Sequence, residues 1–166
     1  MKSILQSLII SALLLSSCTS RTKPEIKAEL GGAASVELAS ELEESLFSYI
    51  LDPWYPENLD TEYGGYISAF NHDWSLSENS QVKALVQQAR HIWTCSFVLE
   101  NYPDSMQYLD YAAHGFTFLQ DALWDPEYGG FHAYSNQDGT PIPERINEKR
   151  IYGQAFAIYA LAQYYR

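Results

Sequence analysis

An arginine within an apolar helical stripe is the residue whose type and position most directly suggest chemistry. Val86, Ala89 and Trp93 recur at steps of three and four residues, which is the pattern of an amphipathic helix. Arg90 lies on the same stripe, where an unpaired guanidinium is costly to bury. It must therefore either pair with a carboxylate or line a pocket that receives a polar ligand. Only the second alternative makes Arg90 part of a binding site.

The remaining reactive side chains do not form a recognisable reaction centre. No spacing of cysteine and histidine suggests zinc, and no pair of carboxylates has the spacing expected of a glycosidase. His91 follows Arg90 but points about 100° around the same helix, and His114 is expected to be a hydrogen-bonded core residue. His72 and His132 fall in predicted hairpins, where they could contact a ligand. The residues themselves thus identify no catalytic group, metal site or cofactor site.

The balance of charges excludes one class of partner. The chain has 10 Lys and Arg residues against 21 Asp and Glu residues, which gives a formal net charge of −11. An acidic surface is unsuited to the phosphates of nucleic acids. We therefore expect no nucleic-acid partner.

The segment 1–17 resembles a secretory signal peptide. Lys2 precedes a mostly apolar run, Ile4–Leu15, which at about 12 residues is too short to span a bilayer. The small residues directly before Cys18 resemble the lipobox of bacterial lipoproteins, in which the cysteine is acylated; ordinary cleavage near this point is the alternative. Acylation of Cys18 predicts a membrane anchor and a location in the cell envelope, on the periplasmic or outer-membrane side. It leaves Cys95 as a small buried side chain without a disulfide partner.

Four helices and two glycine-containing hairpins are predicted to position these residues. After a flexible tether at 18–35, the helices are expected at 36–51, 78–101, 104–122 and from about 147 to the last residue. Asp52-Pro53 should end the first helix, and Asp104 should cap the third. The two hairpins contain paired glycines followed by aromatic residues, which favour turns and short strands. The predicted fold class is therefore all-α with short β-hairpins between helices.

The order helix, hairpin, helix occurs twice. Glu62-Tyr-Gly-Gly-Tyr in the first unit recurs as Glu127-Tyr-Gly-Gly-Phe in the second, each shortly after a tryptophan. At about 65 residues per unit, six units would need roughly 390 residues, whereas the segment 36–166 contains about two. Because the helices carry apolar residues on more than one face, they are expected to have neighbours on both sides. The segment 36–166 is therefore interpreted as an incomplete domain, the N-terminal part of a larger toroid of helical hairpins.

Four segments in this order resemble the N-acylglucosamine 2-epimerase and cellobiose 2-epimerase family. The resemblance rests on Lys83–Phe97 with its Ala-Arg-His-Ile-Trp core, Tyr111–Leu119, Asp125-Pro-Glu-Tyr-Gly-Gly-Phe and Lys149–Tyr159. It implies an (α/α)6 barrel, of which this chain would form the N-terminal part. It also implies a carbohydrate substrate, a mono- or disaccharide that is epimerised at carbon 2 or isomerised between aldose and ketose. No cofactor takes part in the chemistry that it implies.

The same resemblance assigns roles to two side chains as substrate-binding residues. The family's arginine falls on Arg90, beside the C1–C2 oxygens of the open-chain sugar, where it would stabilise developing negative charge. The family's pocket tyrosine falls on Tyr152. The two histidines that remove and return the C2 proton fall in later helices, beyond residue 166. The chain contains no catalytic residue on this interpretation and is expected to be inactive alone.

Two other classes of function remain open. A glycoside hydrolase or lyase can be built on the same barrel, and a non-catalytic lipoprotein could bind a glycan or a protein. At the rim of the barrel, Trp54, Trp74 and Trp124 could stack on sugar rings, whereas Trp93 is expected in the core beside the pocket. A glycosidase should show an essential pair of carboxylates and no pair of histidines beyond residue 166. A non-catalytic module should bind sugar without exchanging the C2 proton with solvent.

Overall fold

The computed structural model describes residues 32–166, whose dominant elements are helices. The four helices are α1 (Ala33–Leu46), α2 (Leu85–Asn101), α3 (Gln107–Phe118) and α4 (Ile151–Tyr164). Helices α1 and α3 continue into π-helical turns at Phe47–Leu51 and Leu119–Leu123, and a single helical turn follows at Asp52–Trp54. The remaining elements are the strands β1 (Val82–Ala84) and β2 (Tyr134–Asn136) and the 3-10 turns Glu78–Gln81 and Pro143–Arg145. The predicted predominance of helix is confirmed.

Residues 44–166 form one compact unit with α2 at its centre. Helix α2 packs against both α3 and α4. Its side chains Leu85, Ala89, Ile92 and Cys95 are almost completely buried, because an apolar helix face gains about 25 cal/mol for each Å² removed from water. Cys95 is thus a small buried side chain, as predicted. In this core, α2 packs against α3 and α4, and one face of α2 remains uncovered.

The predicted start of the second helix is wrong. Residues 78–84, expected to be helical, form a 3-10 turn and then strand β1, and helix α2 begins only at Leu85. Strand β1 pairs antiparallel with β2, with Lys83 opposite Ser135. This pairing joins segments that are far apart in the chain. The spacing of apolar residues within one segment therefore could not predict it. Lys83 therefore does not belong to the helical stripe that carries Arg90.

The boundaries of α1 also differ from the prediction. The helix begins at Ala33, inside the predicted tether, and the helical path continues through Pro53 to Trp54 instead of ending at Asp52-Pro53. Proline is tolerated there because a new helical turn begins at Asp52. A residue in the first turn has no helical acceptor for its N–H, so the missing donor costs nothing.

The last two helices are shorter than predicted. Helix α3 begins at Gln107, and its N-cap is Met106, so Asp104 does not cap it. Helix α4 begins at Ile151 instead of near Asn147 and ends at Tyr164. The later start has a clear cause, because the Glu148 carbonyl accepts a hydrogen bond from the backbone of the preceding hairpin.

The first hairpin (residues 59–76) and the second (residues 124–141) have the same internal bonding, which confirms the predicted repeat. The Asp60 N–H donates to the Gly65 carbonyl at 2.9 Å, and in the second hairpin the Asp125 N–H donates to the Gly130 carbonyl at 2.9 Å. The paired glycines all have positive φ angles, as expected for turn residues: Gly64, Gly65, Gly129 and Gly130. The duplication therefore extends to individual backbone hydrogen bonds.

A lysine attaches each hairpin to the segment that leads into the next helix. Lys83 Nζ lies 2.7 Å from Asp60 Oδ2 and 2.5 Å from the Gly64 carbonyl oxygen. In the second hairpin, Lys149 makes the equivalent two contacts at 2.5 and 2.7 Å. Lys83 is fully buried, whereas the Lys149 side chain is 26% exposed. The two copies thus share geometry and differ in solvation.

The predicted signal peptide, Cys18 and most of the tether lie outside the described residues. Within 32–166, no helix is long and apolar enough to cross a membrane. In the same range, no cluster of three or more His, Cys, Asp or Glu side chains is arranged to hold a metal ion.

Candidate functional site

Arg90 lies on the open face of α2, at the edge of a groove that α2 forms with α4. The groove has a volume of about 550 Å³ and is lined by Arg90, Trp93, Thr94, Ala155, Phe156 and Tyr159. The guanidinium carbon is 6.0 Å from the centroid of the Phe156 ring, within reach of a cation–π contact. None of the ion pairs within residues 32–166 involves Arg90. Of the two alternatives for this arginine, the described residues therefore favour a pocket over a structural ion pair.

Tyr152 lies on α4 near this groove but does not line it with Arg90. Its side chain is 64% exposed, and its ring meets the Phe156 ring edge-on at 4.9 Å. Phe156 therefore contacts both predicted substrate-binding residues. The structure places Arg90 and Tyr152 on neighbouring helices, each near the Phe156 ring, but Tyr152 does not line the groove that contains Arg90.

Arg90 also lines a second groove, which includes Trp54. It has a volume of about 500 Å³ and is lined by Trp54, Ala84, Val86, Gln87, Arg90, His91 and Thr94. A third groove of about 360 Å³ adjoins it, shares Trp54, His91 and Thr94 with it, and also includes Trp74. Arg90 and Thr94 thus lie between the aromatic residues of α4 and Trp54, which belongs to the helical turn before the first hairpin.

His91 is held as a neutral hydrogen-bond acceptor at the base of these grooves. Its Nδ1 accepts from the Tyr55 hydroxyl at 2.8 Å and from the Asn58 amide at 3.2 Å. With the Asn58 amide nitrogen facing the ring, Nδ1 carries the lone pair and the ring proton lies on Nε2. Burial, reinforced by the neighbouring Arg90 charge, lowers the pKa of His91 to about 4. His91 is therefore a poor proton-transfer group near neutral pH.

The other histidines do not line the grooves beside Arg90. His114 Nε2 donates to the Gly65 carbonyl at 2.8 Å, a structural contact of the kind expected from the sequence. His72 is exposed in the first hairpin. His132 is partly buried in the second, and its Nδ1 has no hydrogen-bond partner among the described residues. The described part of the chain thus brings no pair of histidines to the two sides of one bound ligand.

The tryptophans divide into two groups. Trp93 is partly buried and stacks on Phe97 at 4.8 Å and on Tyr159 at 5.0 Å, so it supports the groove beside Arg90. Trp54 and Trp74 line the third groove, whereas Trp124 packs edge-on against its own hairpin. Of the three tryptophans predicted to stack on sugars, two therefore face the same groove.

Sequence reasoning missed the glutamines that hold the hairpins against the helices. Gln88 accepts from the Tyr66 N–H at 2.8 Å and donates to the Tyr66 carbonyl at 2.8 Å. Gln154 binds Phe131 in the same way, at 2.9 and 2.7 Å. Gln154 follows Gln88 at nearly the same spacing that separates the two glycine hairpins. An alignment of the two repeats beyond the hairpins would have identified this pair.

Comparisons of sequence agree with this arrangement. A sequence model of the N-acylglucosamine 2-epimerase (GlcNAc 2-epimerase) family matches residues 64–166. The cellobiose 2-epimerase of Dictyoglomus turgidum is 35% identical over 129 residues, which is 78% of this chain and 32% of the relative. That of Ruminococcus albus is 30% identical with the same coverage. The chain thus spans 32% of the length of these curated relatives.

Comparisons of structure give the same result. The cellobiose 2-epimerase of Spirochaeta thermophila matches with a TM-score of 0.71 at 34% identity, over 83% of this chain and 32% of that chain. A D-mannose isomerase matches with a TM-score of 0.62 at 21% identity, over 86% of this chain and 32% of that chain, which shows likeness of fold alone. These matches confirm the predicted fold class, because the helices of this chain form part of an (α/α)6 barrel.

Proposed function

Because the chain belongs to the N-acylglucosamine 2-epimerase family, we propose that it forms the Arg90 side of the substrate site of a sugar 2-epimerase. Aldose–ketose isomerisation through the same enediolate is the related alternative. The observation that carries this proposal is the position of Arg90, which is free of carboxylate partners within 32–166 and stands between two aromatic grooves. Carbohydrate sites need such a combination of apolar walls and a strong hydrogen-bond donor.

Arg90 has the chemistry that removal of a C2 proton requires. When that proton leaves an open-chain aldose, negative charge moves onto the oxygens at C1 and C2. A guanidinium donates up to five hydrogen bonds in one plane and cannot lose its own proton at working pH. Arg90 would therefore stabilise the enediolate more than the neutral aldehyde, which lowers the barrier to proton abstraction. The Tyr152 hydroxyl would supply a neutral hydrogen bond to the same substrate.

The groups that remove and return the proton lie outside the described residues on this proposal. His91 accepts two hydrogen bonds through Nδ1 and has a pKa of about 4, so it is not available to remove a proton from a substrate. His114 is hydrogen-bonded to the Gly65 carbonyl. We therefore expect the acid and the base to come from a further part of the barrel, and we expect the polypeptide 1–166 alone to be inactive.

The proposal is tested by following the C2 proton of a β-linked glucose disaccharide. The native gene product is incubated with cellobiose in D2O, and proton NMR follows the signals of the reducing-end ring. We expect deuterium at C2 and the appearance of the mannose configuration. Release of glucose without deuterium at C2 would indicate a glycosidase, and binding without either change would indicate a non-catalytic module. Either result contradicts the proposal.

The lipid anchor is a separate proposal about location. We expect Cys18 to be acylated, which would hold the enzyme at a membrane of the cell envelope and give it access to oligosaccharides from outside the cell. Growth of the native host with labelled palmitate tests this directly. Label should appear in the protein and disappear in a Cys18→Ala variant. A soluble, unlabelled wild-type protein would contradict the anchor and leave the proposed reaction untouched.

A further inference from the structure

The tips of the two hairpins are the same turn, built twice. The Asn71 N–H donates to the Ser75 carbonyl at 2.8 Å, and in the second hairpin the Asn136 N–H donates to the Thr140 carbonyl at 2.9 Å. In both copies the asparagine amide also donates to the Ser75 or Thr140 hydroxyl at 3.0 Å. That hydroxyl donates to Asp73 or Asp138 at 2.6 Å. Two independent stretches of sequence therefore fix one backbone geometry.

This turn requires a left-handed residue, and the two copies fill that position differently. The second copy has Gly139 with φ of 82°, whereas the first has Trp74 with φ of 64°. Within the described range, Trp74 is the only residue other than glycine with positive φ. Glycine adopts this region without strain, but a bulky side chain there clashes with its own backbone. The duplicate shows that the turn folds with glycine, so its hydrogen bonds do not explain the tryptophan.

The Trp74 side chain completes an aromatic cluster at the end of the third groove. Its ring lies 5.5 Å from Trp54 at 61° and 5.5 Å from Phe70 at 54°. Trp54 in turn stacks on His91 at 6.2 Å and 15°, and it also lines the groove that contains Arg90. Trp74 remains 46% exposed. A continuous surface therefore runs from the Arg90 guanidinium across Trp54 to an exposed indole.

We propose that Trp74 and Trp54 form a stacking subsite for a second pyranose ring, next to a reducing-end ring bound at Arg90. The inference rests on the proposed function and assigns two residues to the second sugar unit of a disaccharide substrate. The axial C–H groups of a β-linked pyranose form an apolar face with slight positive charge, and this face is complementary to the electron-rich face of an indole. The backbone strain at Trp74 is retained because the side chain provides this contact.

The experiment compares two sugars across the native gene product and its variants. Calorimetric titration measures the binding of cellobiose and of glucose to the wild type and to Trp74→Gly, Trp124→Leu and Arg90→Ala. Trp74→Gly gives the first turn the residue that the second turn already has at Gly139. Trp124→Leu is the matched control, since Trp124 takes the place of Leu59 in the repeat. Trp74→Asn serves as a second variant, because asparagine also tolerates a left-handed conformation.

The expected result is a selective loss. Trp74→Gly and Trp74→Asn should bind cellobiose about 3- to 10-fold more weakly, the worth of one or two aromatic contacts, and should bind glucose as the wild type does. Trp124→Leu should bind both sugars normally, and Arg90→Ala should weaken both.

Three other results would overturn the inference. Unchanged cellobiose binding in both Trp74 variants would remove the subsite, and equal weakening of both sugars would make Trp74 a structural cover for Trp54. In either case, weakened binding by Arg90→Ala would leave the proposed function standing. No binding of either sugar to the wild type would remove both the subsite and the proposed function.

Discussion

Replacement of Lys83 by alanine should destabilise the protein far more than the equivalent replacement of Lys149. The two lysines occupy the same place in the repeat and make the same contacts to a carboxylate and a glycine carbonyl. They differ in solvation, since Lys83 is 0% and its partner Asp60 is 5% exposed, whereas the Lys149 side chain is 26% exposed. The comparison therefore isolates the effect of burial on an ion pair.

The size of the difference follows from what each deletion leaves behind. Burial would raise the pKa of Asp60, but hydrogen bonds from Lys83 and from the Tyr63 N–H outweigh it and hold that pKa below its ordinary value. Loss of Lys83 leaves this carboxylate buried and unpaired, which costs about 3–5 kcal/mol. The Asp125 carboxylate is only 10% exposed, but it is covered by a Lys149 side chain that is itself 26% exposed, so removal of Lys149 opens Asp125 to water and costs about 1–2 kcal/mol.

Urea unfolding followed by circular dichroism measures both costs. The midpoint should fall much further for Lys83→Ala than for Lys149→Ala. A double variant, Lys83→Met with Asp60→Asn, should recover part of the loss, because it removes the isolated charge and fills the space. Equal destabilisation by the two single variants would refute the reasoning. So would a double variant that is less stable than Lys83→Ala.

Three shorter predictions address other parts of the fold. The unfolded His91 takes up a proton near pH 6.5 and the folded one only near pH 4; the free energy of unfolding should therefore fall by about 3 kcal/mol as the pH drops through this window. Urea titrations across this range should show the slope, and His91→Gln should flatten it. Alanine has the better helix propensity, but the Cβ of Gly115→Ala would lie 2.3 Å from the Tyr66 ring. The substitution should therefore lower the free energy of unfolding by about 1–3 kcal/mol. A thermal melt measures this loss, and Gly32→Ala is the control, because nothing lies within 4 Å of its Cβ. Burial raises the pKa of the Cys95 thiol to about 12. In a Cys18→Ala variant, whose one thiol is Cys95, Ellman's reagent should therefore react only in denaturant. Fast modification of this variant in its native state would contradict the buried position.

The helices and the repeat could be predicted from sequence because their signals are local. An apolar residue at every third or fourth position describes α2 from Leu85 onward, and the paired glycines mark both hairpins wherever they occur. The family resemblance then added the barrel. These signals depend on residues close together in the chain, which is why the structure confirms the helices and the repeat.

The strand β1 and the buried lysine could not be predicted in this way. Val82 lies four residues before Val86 and so continues the helical spacing. The pairing of Val82 with β2 and of Lys83 with Asp60 depends on residues far away in the chain. The backbone angle of Trp74 belongs to a local turn, in which the Trp74 N–H donates to the Asn71 carbonyl and the Ser75 N–H donates to Asp73 Oδ1, but a tryptophan gives no sequence signal of a positive φ angle. Only superposition of the two repeats reveals that a glycine belongs at its position.

The candidate site could be predicted only in part, because some of its contacts join residues far apart in the chain. The position of Arg90 on an apolar stripe could be inferred from the sequence, but only the structure shows that it has no carboxylate partner within 32–166. The roles of Arg90 and Tyr152 as substrate-binding residues stay predictions. His91, which the sequence placed away from Arg90, proves to be fixed by Tyr55 and Asn58.

The most direct test of the central claim is to measure kcat and stability together for Arg90→Ala in the native gene product. With cellobiose as substrate, kcat for C2 epimerisation should fall by about 100- to 1000-fold, the usual cost of removing one donor to a developing oxyanion. Because Arg90 makes no ion pair within the described residues, the urea midpoint should stay close to that of the wild type. Arg166→Ala, which breaks an ion pair with Glu100, should leave kcat unchanged. A large loss of stability with kcat lowered only in proportion would show that Arg90 is structural and would contradict the account.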